Sequence, residues 1–212
     1  MIVKGDFMLG DLYTNGKRIF AELTPIHLGW YKLKPNAIIP TKCNENAGFD
    51  IYTIEEDVTL APHSQHLFST GLAAVVEPGW WLRAEDRGST GSKGLHIHCG
   101  VVDNGYRGEI FICLNNDNPY PVKFTNTEEP GIHKHQETQM VTHKNSDGVV
   151  LAVYQTILVD VIDYLVYPTS KAIAQLVLIP QPDVYSRELT AEEWEAEKIT
   201  ERGEGKLGSS GK

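Results

Sequence analysis

The sequence has few cysteines, and they are not arranged as a metal site or a disulfide framework. Its 212 residues contain three, Cys43, Cys99 and Cys113, and no Cys-x-x-Cys pair. So few cysteines, so widely spaced, are typical of a protein that stays in a reducing compartment. We therefore expect a cytoplasmic protein without structural disulfides.

Long hydrophobic runs are also missing. The first ten residues, MIVKGDFMLG, have no apolar segment typical of a signal peptide, so we expect none. The most apolar stretch, residues 149–167, is interrupted by Gln155, Thr156, Asp160 and Asp163. These polar side chains argue against a membrane span.

The chain has no excess of positive charge. It carries 19 Lys and Arg against 28 Asp and Glu, a net charge of −9. This balance argues against direct nucleic-acid binding, because a phosphate backbone is bound by clustered cations. A small phosphorylated ligand is still compatible with it, since one local pocket suffices. With 41% hydrophobic and 22% charged residues, the composition is that of a globular protein.

Short β-branched and aromatic runs dominate the middle of the chain and predict an all-β barrel or sandwich. Asn104 and Gly105 lie between two such runs and predict a hairpin. Thr190 and Glu193 predict a capping box at the start of one helix. Residues 125–147 are polar, contain three histidines and predict a long loop or small insertion.

The segment RGSTGSKGL, residues 87–95, combines glycines, hydroxyls and two cations. It lacks the spacing of a P-loop. Exposed amides, hydroxyls and an arginine nevertheless suit phosphate binding. The alternative interpretation is a solvated loop between strands.

Four further motifs each have a structural and a functional interpretation. Asp50 in AGFDIY either caps a turn or holds a metal-bound water. Asp103 in GVVDNGYRGEI either begins a turn or acts as a general base beside a base-reading loop. Gln175 either faces outward from an edge strand or donates to a phosphate. The three histidines of the polar segment, His133, His135 and His143, form a weak metal-site candidate, because only Glu137 lies nearby.

The motifs AGFDIY, RGSTGSKGL, GVVDNGYRGE, AIAQL and RGEGKLGSSG occur in this order. In this they resemble the trimeric all-β dUTPase family, and in particular enlarged phage-type members with an insertion after the third motif. The resemblance implies a distorted jelly-roll β-barrel with one short helix. It also implies a homotrimer with shared active sites, in the host cytoplasm if a phage encodes the chain. The implied parts are an N-terminal extension (1–30), the barrel core (31–117 and 167–200), an inserted segment (118–166) and a mobile glycine-rich arm (201–212).

The resemblance also implies an activity, the hydrolysis of dUTP to dUMP and pyrophosphate by Mg²⁺-assisted attack of water on the α-phosphorus. Such an activity limits uracil incorporation into DNA. Asp103 then orients the attacking water, Tyr106 stacks on the deoxyribose and Asp50 reaches Mg²⁺ through water. The implied substrate-binding residues are Arg87, Gly88, Ser89, Gly100, Asp103, Tyr106, Gln175, Arg202, Leu207, Gly208, Ser209 and Ser210.

Several positions depart from the family pattern. Gly88 replaces a serine, Lys171 and Ala172 replace an acid and a base, and Leu207 replaces an aromatic residue or histidine. A related group, the dCTP deaminases, uses a glutamate at the position of Cys113, so that activity ranks lower. A second alternative is a regulatory binding protein that captures a protein partner through residues 118–166.

Overall fold

The computed structural model describes residues 12–14, 17–19, 25–144, 146–148 and 150–199. In these residues the strands are β1 (Leu12–Thr14), β2 (Lys17–Ile19), β3 (Leu28–Lys32), β4 (Gly48–Ile51), β5 (Val58–Leu60), β6 (Gln65–Ser69), β7 (Leu72–Val76), β8 (Trp80–Glu85), β9 (Leu95–His98), β10 (Val101–Val102), β11 (Phe111–Asn116), β12 (Val122–Phe124), β13 (Gly131–Lys144), β14 (Val150–Tyr167) and β15 (Ala174–Pro180). Two short helices, α1 (Gly88–Gly91) and α2 (Ala191–Glu197), complete the described part. The predicted all-β fold is confirmed, since the regular structure of the described residues is almost entirely β-strand.

The sheet that positions the site has the strand order β10-β8-β15-β4. Its third strand, β15, is the apolar run around Gln175 and has a neighbour on both sides. The interpretation of Gln175 as an edge residue is therefore wrong. A continuous apolar run shows no alternation of apolar and polar residues. It therefore does not indicate whether the strand lies at the edge or in the middle of a sheet.

The core joins this sheet to two others, of strand orders β6-β11-β9 and β13-β14-β12-β5. Three aromatic rings pack between the sheets. The ring centroid of Phe68 lies 4.6 Å from that of Phe124, and the centroid of Phe124 lies 5.6 Å from that of Tyr167. All three rings are buried. This packing holds β14 and the segment that follows it against the barrel.

Residues 125–147 do not form the predicted loop. Most of them belong to β13, which pairs with β14 in a long antiparallel ribbon from Gly131↔Val166 to Lys144↔Val150. The base of the ribbon is part of the core, where Leu165 and Val166 are buried. Its middle is exposed and carries cross-strand pairs of opposite charge such as Lys134–Asp160. Polar residues on both faces removed the alternation that identifies a half-buried strand.

The predicted hairpin at Asn104–Gly105 is also wrong, although the turn exists. The amide of Tyr106 donates to the carbonyl of Asp103 at 3.0 Å. However, β10 pairs with β8, whereas β11 pairs with β6 and β9, so the two runs enter different sheets. Both central residues of the turn are described and neither has a positive φ, unlike the hairpin turn that Asn-Gly favours.

The predicted capping box is confirmed in α2. The Thr190 hydroxyl accepts a hydrogen bond from the Glu193 amide at 3.2 Å, and the Glu193 carboxylate accepts one from the Thr190 amide at 2.8 Å. Neither helix in the described residues has the length and apolar character needed to cross a membrane.

Candidate functional site

The phosphate-binding candidate RGSTGSKGL forms a single helical turn, α1, directly after β8. The Thr90 side chain is buried and organises this turn. Its hydroxyl accepts from the Arg87 amide at 3.1 Å and donates to the Arg87 carbonyl at 3.0 Å. The backbone around Arg87 is therefore fixed by a residue of its own motif.

The Arg87 guanidinium uses all three of its nitrogens. Its Nε and Nη2 donate to the two oxygens of Asp50 at 2.9 and 3.0 Å. Its Nη1 donates to the Ala172 carbonyl at 3.0 Å and to the Ser89 hydroxyl at 3.2 Å. The buried Tyr167 hydroxyl also donates to the Ala172 carbonyl, at 2.7 Å. This bidentate pair joins the first two motifs and cancels one positive charge with one negative charge.

Gln175 lies beside Asp50 in the register of β15 and β4. Its amide nitrogen donates to the Asp86 carbonyl at 2.8 Å, which ties β15 to the start of the Arg87 turn. Gly48 leaves the space that the Gln175 side chain occupies, since a Cβ there would lie 2.8 Å from its Oε1. Asp50, Arg87, Ser89 and Gln175 thus form one group, called the phosphate-side cluster below.

The third motif forms a separate structure, called the Asp103 turn below and comprising residues 103–109. Asn104 anchors its beginning, because its amide donates to the carbonyls of Trp80, Glu77 and Val76 at 2.7, 2.9 and 3.1 Å. Asp103 itself is exposed, and its carboxylate has no hydrogen-bond or ion-pair partner among the described residues. The carboxylate is therefore accessible to water.

Strand β8 separates the Asp103 turn from the phosphate-side cluster. Val102 pairs with Leu82, which places Asp103 beside Trp81, whereas Arg87 follows the other end of the strand. Six residues of nearly extended chain span about 15–20 Å. Gly100 lies between the two groups, where a Cβ would be only 2.6 Å from the Ala84 carbonyl oxygen. One chain therefore brings the first, second and fourth motifs together but not the third.

Two cavities in the described part include neither a residue of the Asp103 turn nor Arg87. The larger, about 520 Å³, lies at the base of the ribbon, contains Glu128 and Ser170, and includes no residue predicted for the site. The other, about 320 Å³, lies along β8 and includes Gly100 and Asp86 but neither Asp103 nor Arg87. Neither of these two cavities encloses the whole predicted site.

The donors near Asp50 fit a water-mediated magnesium contact and not a direct ligand set. No group of three or more His, Cys, Asp or Glu in the described residues could hold a metal ion. A carboxylate offers about four lone-pair sites, and Arg87 occupies two of those on Asp50. The remaining lone pairs face partly exposed space, since the Asp50 side chain is 35% exposed. A magnesium ion that brings water and phosphate ligands can use them.

The described residues around His133 and His135 form no such metal-binding group either. The His133 ring stacks on Tyr164 with centroids 4.6 Å apart. His135 lies between Glu137, at 3.0 Å, and Asp163, at 2.7 Å. Hydrogen bonds from the imidazole to these two carboxylates raise the pKa of His135. His143 is described in its backbone only.

Five predicted residues, Arg202, Leu207, Gly208, Ser209 and Ser210, lie outside the described residues. Conversely, the structure brings out contacts that the sequence did not indicate, made by Asn104, Glu109, Asp86 and Tyr167. Asn104 and Glu109 bond backbone groups far away in sequence, and the Asp86 carbonyl accepts from the distant Gln175. The Tyr167 hydroxyl donates to the Ala172 carbonyl, five residues on. No motif marks these contacts. Asn104 alone had a local pattern, but it was interpreted as a hairpin residue.

Comparisons with known proteins agree with this geometry. The family model described as dUTPase matches residues 34–128. The chain is 39% identical over 104 residues to a deoxyuridine 5′-triphosphate nucleotidohydrolase of Picosynechococcus sp., which covers 46% of this chain and 72% of the relative. It is 40% identical over 103 residues to the enzyme of that name from Nocardia farcinica, covering 47% and 61%. Among solved structures, the dUTPase of Staphylococcus bacteriophage 80alpha with dUPNHPP superposes with a TM-score of 0.57 at 28% identity, covering 88% of this chain and 99% of that one.

Proposed function

Since the chain belongs to the dUTPase family, we propose that it hydrolyses dUTP to dUMP and pyrophosphate, with Mg²⁺, at sites shared between the subunits of a homotrimer. The observation that carries this proposal is the separation along β8. The phosphate-side cluster and the Asp103 turn carry complementary parts of one reaction, yet lie about 15–20 Å apart in one chain. A site between two copies places the turn of one subunit against the cluster of another.

In this mechanism Asp103 holds the attacking water and takes its proton, because its exposed carboxylate has no partner among the described residues. The α-phosphorus–oxygen bond to the β-phosphate breaks, and pyrophosphate leaves. Tyr106 lies against the deoxyribose and occupies the space of a 2′-hydroxyl. The Asp103 turn therefore both positions the nucleophile and selects the sugar.

The phosphate-side cluster binds and orients the triphosphate. The Ser89 hydroxyl and the amides of Gly88 and Ser89 donate to phosphate oxygens, since the Thr90 and Gly91 amides already donate to the Arg87 carbonyl. Gln175 holds the turn that presents them. Because Asp50 neutralises Arg87, this cluster supplies little net positive charge. Asp50 would hold Mg²⁺ through water, and the bound ion would supply Lewis-acid stabilisation of the phosphate charge. Arg202 and the glycine-rich arm, outside the described residues, are proposed to close over the nucleotide.

Pyrophosphate release, measured with dUTP, dCTP, dTTP, dATP, dGTP and UTP in the presence of Mg²⁺, tests the proposal. We expect release from dUTP alone at appreciable efficiency. Ammonia release from dCTP would indicate the deaminase alternative instead. The structure gives no support to that alternative, because Cys113 is buried on β11 and burial, with the nearby Cys99 thiol, raises the pKa of its thiol.

A regulatory partner that binds residues 118–166 stays a prediction. The 80alpha phage dUTPase is described as controlling the transfer of virulence genes, and here the ribbon exposes Ile132 and Leu158. Because Gln136 pairs with Asp160, replacing residues 137–159 by a two-residue turn keeps the base of the ribbon in register. Hydrolysis that survives this deletion would separate the ribbon from the catalytic site.

A further inference from the structure

Glu109 ends the Asp103 turn, and its side chain is only 15% exposed. Its Oε1 accepts hydrogen bonds from the Ser69 hydroxyl, from the Gly71 amide at 2.8 Å and from Lys34 Nζ at 3.4 Å. Lys34 Nζ also lies 3.4 Å from Oε2. These donors belong to the connection between β6 and β7 and to the segment after β3. The carboxylate therefore joins the turn to two other parts of the barrel.

The contacts require an ionised carboxylate. Burial alone would raise the pKa of Glu109, but the hydrogen bonds from Ser69, Gly71 and Lys34, together with the Lys34 charge, outweigh it and lower that pKa. Gly71 has a φ of 67° and its carbonyl accepts from the amides of Leu33 and Lys34. The Glu109 carboxylate thus accepts hydrogen bonds from donors that the surrounding backbone holds in place.

The main-chain carbonyl of Glu109 holds the Tyr106 side chain in place. The Tyr106 hydroxyl donates to the Glu109 carbonyl at 2.8 Å. Gly108 lies under the ring, since a Cβ at that position would be 2.5 Å from the hydroxyl oxygen and 2.7 Å from Cζ. The Tyr106 ring therefore packs against Gly108, and its hydroxyl is held by the Glu109 carbonyl. A shift of the Glu109 backbone moves the tyrosine hydroxyl with it.

We propose that Glu109 is a positioning residue that sets the discrimination between deoxyribo- and ribonucleotides, because its carboxylate fixes the carbonyl against which the Tyr106 hydroxyl rests. This inference depends on the proposed function, in which Tyr106 excludes the 2′-hydroxyl. It assigns the sugar preference to a contact between the turn and the β6–β7 connection, outside the residues that contact the nucleotide.

The test measures kcat/KM for dUTP and for UTP in the full chain and in Glu109→Ala and Glu109→Asp. The alanine removes every side-chain contact, and the aspartate keeps the charge but withdraws it by one methylene. Glu128→Ala and Glu128→Asp are matched controls, because Glu128 also pairs with a lysine, Lys123 at 2.9 Å, but has no contact with the turn. We expect the dUTP-to-UTP ratio to fall roughly tenfold or more in the Glu109 variants and to stay unchanged in the controls.

A double-mutant cycle with Tyr106→Phe tests the route of the effect. If Glu109 acts through the tyrosine hydroxyl, the changes in the ratio caused by Glu109→Ala and Tyr106→Phe are less than additive. Additive changes would show that Glu109 does not act through the Tyr106 hydroxyl.

Thermal unfolding separates a structural role from a positioning role. A lower Tm with an unchanged dUTP-to-UTP ratio in the Glu109 variants overturns the inference. If Glu109→Ala fails to fold, the Glu109→Asp ratio decides in the same way. Absence of pyrophosphate release from dUTP by the wild-type chain would overturn the proposed function first, and so is distinguishable from a failure of the inference alone.

Discussion

At the scale of single residues, Asp103 is an exposed acid of the predicted site that no described residue neutralises. Asp103→Asn keeps the shape of the side chain but cannot accept the proton of the attacking water. We expect turnover to fall by about 10²–10⁴-fold, with nucleotide affinity largely kept. Single-turnover hydrolysis of dUTP and titration with a non-hydrolysable analogue measure the two quantities. A variant that hydrolyses dUTP at the wild-type rate would show that Asp103 is not the base.

Gly88 allows a second prediction at this scale, because the resemblance to the dUTPase family implies a serine at this position. A Cβ at this position would meet no atom within 4 Å, and its φ is not in the positive range. Gly88→Ser can therefore restore a hydroxyl beside the phosphates without strain. We expect KM for dUTP to fall by about tenfold or more, the effect of one hydrogen bond to a charged group. Gly88→Ala, which adds only the Cβ, is the control and should leave KM unchanged.

The sequence predicted residue types better than residue partners. The motif order indicated Asp50 and Arg87 as separate functional residues, but not that they form one bidentate pair. It gave no sign of Glu109, whose partners Lys34 and Ser69 lie 75 and 40 residues away. Contacts of this kind follow from strand pairing, which a local pattern does not contain.

At the scale of elements, short apolar runs predicted the barrel strands well, and the ribbon was missed. Thr138 and Gln139 sit in the middle of β13, in a strand exposed on both faces. Without a buried face there is no period of two to detect. The partner strand β14 is apolar enough to be recognised as structured, but its pairing with β13 depends on register, which the composition of either strand does not reveal.

Strand β10 is the shortest strand of the sheet of order β10-β8-β15-β4, since it has only two residues. The carbonyl of Gly100 accepts from the Ala84 amide at 2.7 Å just before it. Gly100→Ala would bring a Cβ to within 2.6 Å of the Ala84 carbonyl oxygen. We expect a loss of about 1–3 kcal/mol in the free energy of unfolding, typical of overpacking.

Urea unfolding measures this loss, and Gly105→Ala is its control. A Cβ at Gly105 meets nothing within 4 Å. If both substitutions leave the midpoint unchanged, the close approach of β10 to β8 does not limit stability.

At the scale of the whole molecule, we propose that the glycine-rich arm supplies cations to the triphosphate. Arg202 and Lys206 lie in it, outside the described residues, whereas the described Arg87 is already paired with Asp50. A chain ending at Glu201 should therefore lose most of its turnover, while its mass in solution still corresponds to a trimer. Light scattering and pyrophosphate release check the two parts. Full turnover by the shortened chain would mean that the arm takes no part in catalysis.

The proposed homotrimer with shared sites leads to a prediction about mixtures of two inactive variants. Asp103→Asn and Arg87→Ala should each be inactive, because each removes one half of every site. In trimers assembled from an equal mixture of the two, a site is intact when an Arg87→Ala subunit supplies the Asp103 turn and an Asp103→Asn subunit supplies the phosphate-side cluster. Random assembly gives this arrangement in roughly a quarter of the sites.

Co-expression of the two variants with different tags, followed by two-step purification, isolates mixed trimers for assay. We expect them to recover dUTP hydrolysis well above either parent. A mixture of Asp103→Asn with the double variant Asp103→Asn, Arg87→Ala is the control and should stay inactive, because no subunit supplies Asp103. Mixed trimers as inactive as their parents would place Asp103 and Arg87 of the same subunit in one site. Such a result would require one nucleoside triphosphate to reach both groups across the roughly 15–20 Å that separate them along β8.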